Sequence, residues 1–315
     1  MADFQFACPV CGEGLTAVDS NTQQCPQNHR YQRHDGIWHF LSPERVAHFA
    51  QFIQEYETVR AAEGRGSRDP AYYRALPFAD LSGQMNQMWH IRAQGFTTLL
   101  NKIMKPLESR LQPGQALKIA DVGAGNGWLS YQLAKLGHRV AAIDLTINKF
   151  DGLGTHAMYD ADFVPIQAEF DHLPLESNQV DLLIFNASLH YAIDYERTLR
   201  EAWRVVRGGG KVVVLDTAVY HNPHSGQQMV AEQEAAFTQQ YGFPSNAIAS
   251  EHFLTHARLA ELATALNMQW TFYWPIPRWR RTLRRTKAAL RGQREPAQFA
   301  IIVGSKAVNK IHRLI

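Results

Sequence analysis

Cysteine is scarce in this chain, and long apolar runs are missing. Three cysteines occur among 315 residues. All lie within the first 25 positions, and an odd, clustered set does not fit a secreted disulfide framework. No stretch of eighteen apolar residues exists, so no membrane-spanning helix is read. The segment Met1 to Val10 lacks a basic region followed by an apolar core, so no signal peptide is read there and a cytoplasmic protein is expected. Acid is absent from one long stretch: Arg278 to Arg294 holds eight Lys/Arg and no Asp or Glu. Without that stretch the formal net charge falls from +3 to −5, so a mildly acidic body carries one strongly basic element. Hydrophobic residues make up 45% and charged residues 19%, the balance of an ordinary globular chain with room for one large domain and a small one.

What is present is organised around Lys118 to Ser130. Ile119 to Val122 reads as a short buried strand, and Leu129 onward as a helix ending at Gly137. Between them Gly123, Gly125 and Gly127 alternate in a turn so tight that side chains there would block both the backbone path and a ligand. A strand, a glycine turn and a helix N-terminus make a pocket for a nucleotide-like cofactor. The dinucleotide fingerprint places its third glycine where this chain has Trp128, which counts against a nicotinamide dinucleotide. Arg139 to Asp144 is a second buried strand, and Asp144 stands at its carboxyl end, where an acid accepts ribose hydroxyls.

Asp121, the three glycines, a helix, a strand and Asp144 form a D-x-G-x-G-x-G pattern that resembles the class I S-adenosylmethionine-dependent methyltransferases. The likeness continues to residue 216. A third strand, Phe163 to Ala168, leads into Glu169-Phe-Asp-His-Leu-Pro-Leu175. The resemblance implies that Glu169 and neighbouring amides hold the adenine amino group while Phe170 packs on the ring. A fourth strand, Val180 to Asn186, ends in Asn186-Ala-Ser-Leu-His190-Tyr191 beside the methyl group. A helix from Asp194 to Val206, the turn Arg207-Gly-Gly-Gly210 and a strand from Lys211 to Asp216 follow. The implied fold is α/β, a Rossmann-like seven-stranded methyltransferase sheet with helices on both faces. Met268 to Trp274 is its sixth strand, and Gln298 to Gly304 a seventh that returns antiparallel at the edge. The implied cofactor residues are Asp121, Gly123, Gly125, Gly127, Asp144, Leu145, Glu169, Phe170 and Asn186. The chain departs from the pattern in the irregular segment after Asp144, broken by Gly152 and Gly154. It also lacks an Asn-Pro-Pro-aromatic motif, which argues against methylation of an adenine amino group.

Ahead of this core, Cys8-Pro-Val-Cys11 and Cys25-Pro-Gln-Asn-His29 offer three thiolates and an imidazole at the spacing of a zinc ribbon, with His34 as a substitute ligand. So short a segment needs a metal staple to fold. It resembles the N-terminal zinc modules of large-subunit ribosomal RNA guanine-N1 methyltransferases, and the small zinc modules fused to many bacterial methyltransferases. The division read from sequence is a zinc-ribbon-like module over 1–42, a helical lid over 43–115, and the core over 116–315 with insertions at 221–253 and 276–296. The lid is expected to comprise a helix capped by Ser42 and running to Glu63, a flexible linker, and a long helix from Met85 to Leu111. Trp89, Tyr72 and Tyr73 read as packing residues before direct cofactor contacts. Arg92 is placed to pair with the cofactor's carboxylate.

Methyl transfer needs an oriented acceptor and, for a hydroxyl or amide, a base. His190 is the first candidate because it ends the fourth strand at the ligand crevice; Tyr191 is second, and His221 and His224 follow. Extensive lids favour a small-molecule acceptor. The alternative acceptor is RNA, gripped by the zinc module and by Arg278 to Arg294. A non-catalytic partner subunit is the reading from a different class, and the intact glycine turn and Asp144 speak against it. Within the basic element, Trp279, Leu283, Thr286 and Leu290 share one helical stripe.

Overall fold

The computed structural model describes residues 4–306; residues 1–3 and 307–315, the two ends of the first and last sequence segments, lie outside it. The N-terminal segment folds as four short strands, β1 (Thr16–Asp19), β2 (Thr22–Gln24), β3 (Arg30–His34) and β4 (Ile37–His39). Each pairs antiparallel with the next. The turn between β3 and β4 uses Asp35 and Gly36, both left-handed at φ 47° and 81°, as an Asp-Gly hairpin requires.

A helical cover follows. Helix α1 (Pro43–Ala62) starts where the sequence indicates, with the Ser42 side chain accepting from the Arg45 N–H and Pro43 in the first turn. Next come α2 (Pro70–Ala75), α3 (Asn86–Leu99) and α4 (Lys105–Glu108). The long helix expected from Met85 to Leu111 is interrupted by a π turn over Leu100–Met104. Pro106 has no N–H to return to the Lys102 carbonyl, and the Lys105 N–H reaches back five residues to Leu100.

The core then runs β5 (Lys118–Val122), α5 (Trp128–Lys135), β6 (Arg139–Asp144), β7 (Val164–Gln167), β8 (Val180–Asn186), α6 (Tyr195–Val205) and β9 (Val206–Leu215). After it come β10 (Val219–Tyr220), α7 (Pro223–Tyr241), β11 (Leu254–Thr255), α8 (His256–Ala265), β12 (Met268–Tyr273), α9 (Arg278–Leu290) and β13 (Ile301–Lys306). The core strands lie in the order β7-β6-β5-β8-β9-β13-β12. The first five are parallel, and β8 is buried along its length except at Asn186, as a central parallel strand should be. Alternate residues feed two cores: Ala120 and Val122 pack with Leu199 and Ala202 of α6, while Ile119 packs with Leu129 of α5 and Phe96 of α3. Helices therefore cover both faces of the sheet.

Three expectations are corrected. The antiparallel strand β13 is not at the edge; it bonds to both β9 and β12, and β12 takes the edge. Arg207-Gly-Gly-Gly210 is not a free turn before the fifth strand, because β9 already begins at Val206, paired with Val180, and its register shifts across the glycines. The seven strands are also not the whole sheet. Trp38 and His39 of β4 pair in parallel with Ile166 and Gln167 of β7, so the N-terminal meander extends the same sheet to eleven strands. An exposed β7 edge invites such pairing, and the short apolar β4 supplies it.

Candidate active site

The order of the parallel strands reverses between β5 and β8, and ligands of open α/β sheets bind at the carboxyl ends there. Gly123, Gly125 and Gly127 are all left-handed, at φ 77°, 56° and 74°. A Cβ on Gly123 would stand 2.2 Å from the Ser188 Cβ, so only glycine lets the β5 and β8 ends approach. A Cβ on Gly125 would meet nothing within 4 Å, which leaves open space above the turn. Asp144 borders that space. Its Oδ2 accepts from the Gly125 N–H at 2.8 Å and its Oδ1 from the N–H and hydroxyl of Thr146, both at 2.8 Å. Burial pushes its pKa up, while these donors oppose the shift.

Asp121 sits beneath the turn. It is fully buried; Oδ2 accepts from the Ser130 hydroxyl at 2.7 Å, and Oδ1 has no partner among the described residues. Burial raises its pKa to about 7.

A cavity of about 700 Å³, counted with its open mouth, lies over the turn. Of the residues singled out in the sequence it collects Gly123, Asp144, Leu145, Glu169, Phe170 and Tyr191. Asn186 ends β8, but Ala187 and Ser188 face the cavity there. Helix α1 supplies the opposite wall with Arg45, Phe49, Phe52 and Tyr56. Sequence reasoning missed this wall. The signal was present: Arg45, Phe49, Phe52, Tyr56 and Arg60 recur at spacings of four, three, four and four, one stripe of aromatic and cationic residues. Arg45 holds both oxygens of Glu169, with Nε–Oε1 at 2.9 Å, and His172 lies 3.3 Å away. Arg60 grips both oxygens of Asp151 in the irregular segment after β6.

Phe52, Tyr56 and Tyr191 line both this space and a second cavity of about 1060 Å³, counted with its open mouth; of these, Tyr191 comes after the end of β8. Its ring meets Phe52 and Tyr56 edge-on, with centroids 5.7 and 6.1 Å away. The wall of the second cavity also carries His190, Asp216 and His252 from the core, Arg60, Glu63 and Arg65 from the cover, and Met229 and Phe237 from α7. His190 is held neutral: burial, with His252 and Arg92 adding positive potential, lowers its pKa to about 3. Its Nδ1 lies 3.5 Å from the Thr217 hydroxyl.

Arg92 is half-buried, paired with Asp216 at 3.2 Å and stacked over Trp89; Asp216 in turn lines the second cavity. Trp89, Tyr72 and Tyr73 are packing residues, as their apolar surroundings show. His221 and His224 border a separate depression beneath α9.

The N-terminal cluster converges as its spacing indicates. Cys8, Cys11, Cys25 and His29 place their ligand atoms within 4.8 Å of one another. Cys8 Sγ to His29 Nδ1 is 3.5 Å, Cys25 Sγ to His29 Nδ1 3.3 Å, and Cys11 Sγ to Cys25 Sγ 3.7 Å. A tetrahedral zinc with sulfur ligands at about 2.3 Å separates them by roughly 3.8 Å, so the donor set fits that ion. His34 is exposed and bonded to Gln32, away from the cluster.

Residues 120–214, from β5 to β9, match a protein family described as "Methyltransferase domain". The chain thus carries a methyltransferase domain over this stretch. The chain is 32% identical over 107 residues to a malonyl-[acyl-carrier protein] O-methyltransferase of Buchnera aphidicola, covering 34% of this chain and 42% of that one. It is 28% identical over 116 residues to a tRNA 5-carboxymethoxyuridine methyltransferase of Escherichia coli, covering 35% and 42%. The chain thus spans about two fifths of the length of these relatives. Among solved structures it is similar to the YcgJ protein of Bacillus subtilis, at 13% identity with a TM-score of 0.47, covering 65% of this chain and 97% of that one. The matched stretch carries Asp121, the glycine turn, Asp144, Glu169 and His190; the α1 wall and the cysteine cluster lie outside it.

Proposed function

We propose that the protein transfers the methyl group of S-adenosylmethionine to a small-molecule acceptor held in the second cavity. The observation that carries this reading is a pair of adjoining cavities that share Phe52, Tyr56 and Tyr191: one over the glycine turn, and a larger one lined by α1 and α7. When bound, the cofactor supplies an electrophilic methyl on a cationic sulfur, and its in-line displacement leaves a neutral thioether.

The chain's own residues do the orienting. Asp144, preset by three donors, accepts from the ribose hydroxyls; the open space above Gly125 admits the cofactor's backbone-facing side; Phe170 flanks the adenine. Glu169 contributes by holding α1 through Arg45 rather than by direct contact. Neutral His190 accepts a hydrogen bond from an acceptor hydroxyl or amine and aims its lone pair at the methyl carbon. With so low a pKa it is a weak proton sink, so its role is orientation, and the proton shed by the methylated hydroxyl or amine passes to solvent through the cavity's open mouth. Zinc, held by Cys8, Cys11, Cys25 and His29, staples the meander that completes the sheet edge.

The relatives' names include one protein-bound acyl acceptor and one tRNA, so kinship does not choose the acceptor. The second cavity, lined by α1, α7 and the ends of the core strands, favours a small molecule. Incubation with methyl-labelled cofactor and separate small-molecule and RNA fractions of a cell extract tests this. Label confined to small molecules is expected; label in RNA overturns the acceptor assignment.

A further inference from the structure

Helix α9 is mounted in reverse. An amphipathic helix of a globular protein turns its apolar stripe toward the core, yet Trp279, Leu283 and Leu290 are 63%, 60% and 84% exposed, and α9 has no buried residue. The side facing the body is polar. Arg281 and Ala288, about half a helical turn round from Trp279 and Leu290, are the two half-covered positions of the helix. Arg281 stacks on Trp274 with its guanidinium 3.7 Å from the ring centroid and donates to Gln298 at 3.3 Å, and Arg285 pairs with Glu295 at 3.4 Å. Two cations thus dock the helix and leave its apolar crest in solvent.

Beside that crest stand Arg280, Arg284, Lys287 and Arg291. All four are exposed, and no carboxylate pairs with them among the described residues. Arg280 lies over the Trp279 ring, 5.0 Å from its centroid, at the edge between crest and cations.

We propose that α9 seats the protein on an anionic membrane surface, with Trp279, Leu283 and Leu290 in the headgroup–acyl boundary and the flanking cations on lipid phosphates. An exposed apolar crest with an aromatic at one end and Lys/Arg alongside is the surface of a helix that lies in a membrane interface. RNA accounts for the cations but gives Leu283 and Leu290 nothing to bury against. A second copy of the chain offers an acidic body to the cations, but the crest also needs an apolar phase. The seat also lies close to the acceptor cavity: Phe299, which lines that cavity and is 41% exposed, follows Gln298, the residue Arg281 holds.

Flotation of the full chain with phosphatidylcholine vesicles, with and without phosphatidylglycerol, tests the seat. Binding is expected only with the anionic lipid and should weaken as salt rises. L283S/L290S should lower the partition coefficient by roughly a hundredfold, about tenfold for each leucine. R280Q/R284Q/K287Q should lower it by about fivefold per charge. Both sets lie on an exposed face, so melting temperature and cofactor affinity should stay as in the parent chain. Absence of flotation with anionic vesicles at low salt overturns the proposal. So does flotation that L283S/L290S leaves unchanged, or a dimer in solution that L283S/L290S dissolves. Retention on RNA without vesicle binding, unaffected by the leucine changes, assigns the basic face to nucleic acid and also overturns it.

Discussion

Arg45 on α1 and Glu169 after β7 form a two-point ion pair, Nε to Oε1 at 2.9 Å and Nη2 to Oε2 at 2.5 Å, in the lining of the cavity over the glycine turn. The pair fastens the helical cover to the sheet, and three other α1 side chains, Phe49, Phe52 and Tyr56, reach the cavity from the same helix. Parallel guanidinium–carboxylate bonds fix orientation as well as distance.

If Glu169 acts through Arg45, Arg45→Ala and Glu169→Gln should each weaken cofactor binding by about five- to tenfold, the range of a partly exposed charged pair. The double variant should be no worse than either single one, because both remove the same contact. Calorimetric titration of the three variants checks this. A Glu169→Gln loss far larger than that of Arg45→Ala would instead assign the acid to direct adenine contact.

Two buried titratable groups give opposite pH signatures. The folded-state pKa of His190 lies near 3, below its ordinary value of 6.5, so its neutral form favours the fold above pH 6.5, and that contribution is lost as pH falls from 6.5 toward 3. His190→Asn should therefore flatten the acid limb of thermal stability. The folded-state pKa of Asp121 is raised from 3.8 to about 7, so its contribution is present below pH 3.8 and is lost as pH rises from 3.8 to 7. Asp121→Asn keeps an acceptor for Ser130 and should gain about 1–3 kcal/mol relative to the parent at pH 8, but little at pH 4. Melting curves between pH 4 and 8 measure both, and equal shifts at every pH would refute the assignment.

Zinc removal should reach the methyltransferase sheet. β4 bonds to β7, the strand that leads into Glu169 and Phe170. Cys25→Ser should release the metal, measured by elemental analysis, and loosen hydrogen-exchange protection along Val164 to Gln167. Zinc-free protein with unchanged protection there would show the meander to be independent of the core.

The sequence made the central strands, the glycine turn and the cysteine cluster legible because each is a local pattern. Apolar runs between breakers, alternating glycines and close Cys/His spacing carry their meaning within a few residues. What stayed hidden depends on distant partners. Nothing near Gln298 to Gly304 says which strand will flank it, and nothing in Ile37 to His39 announces β7. Arg92 could be assigned to a helix but not to Asp216, more than a hundred residues on. The α1 stripe was readable in principle, yet mixed arginine and phenylalanine at helical spacing looks like neither a core face nor a solvent face. The reversed mounting of α9 is likewise set by Trp274, Gln298 and Glu295, none of them within the helix.

Titration of the purified chain with S-adenosylmethionine by calorimetry tests the central claim most directly. The account predicts saturable binding at a single site. It also predicts that Asp144→Ala weakens this binding by about ten- to a hundredfold, through lost charge-assisted hydrogen bonds to the ribose. Folded protein that gives neither heat nor a thermal shift with the cofactor, or an Asp144→Ala variant that binds as the parent does, would contradict it.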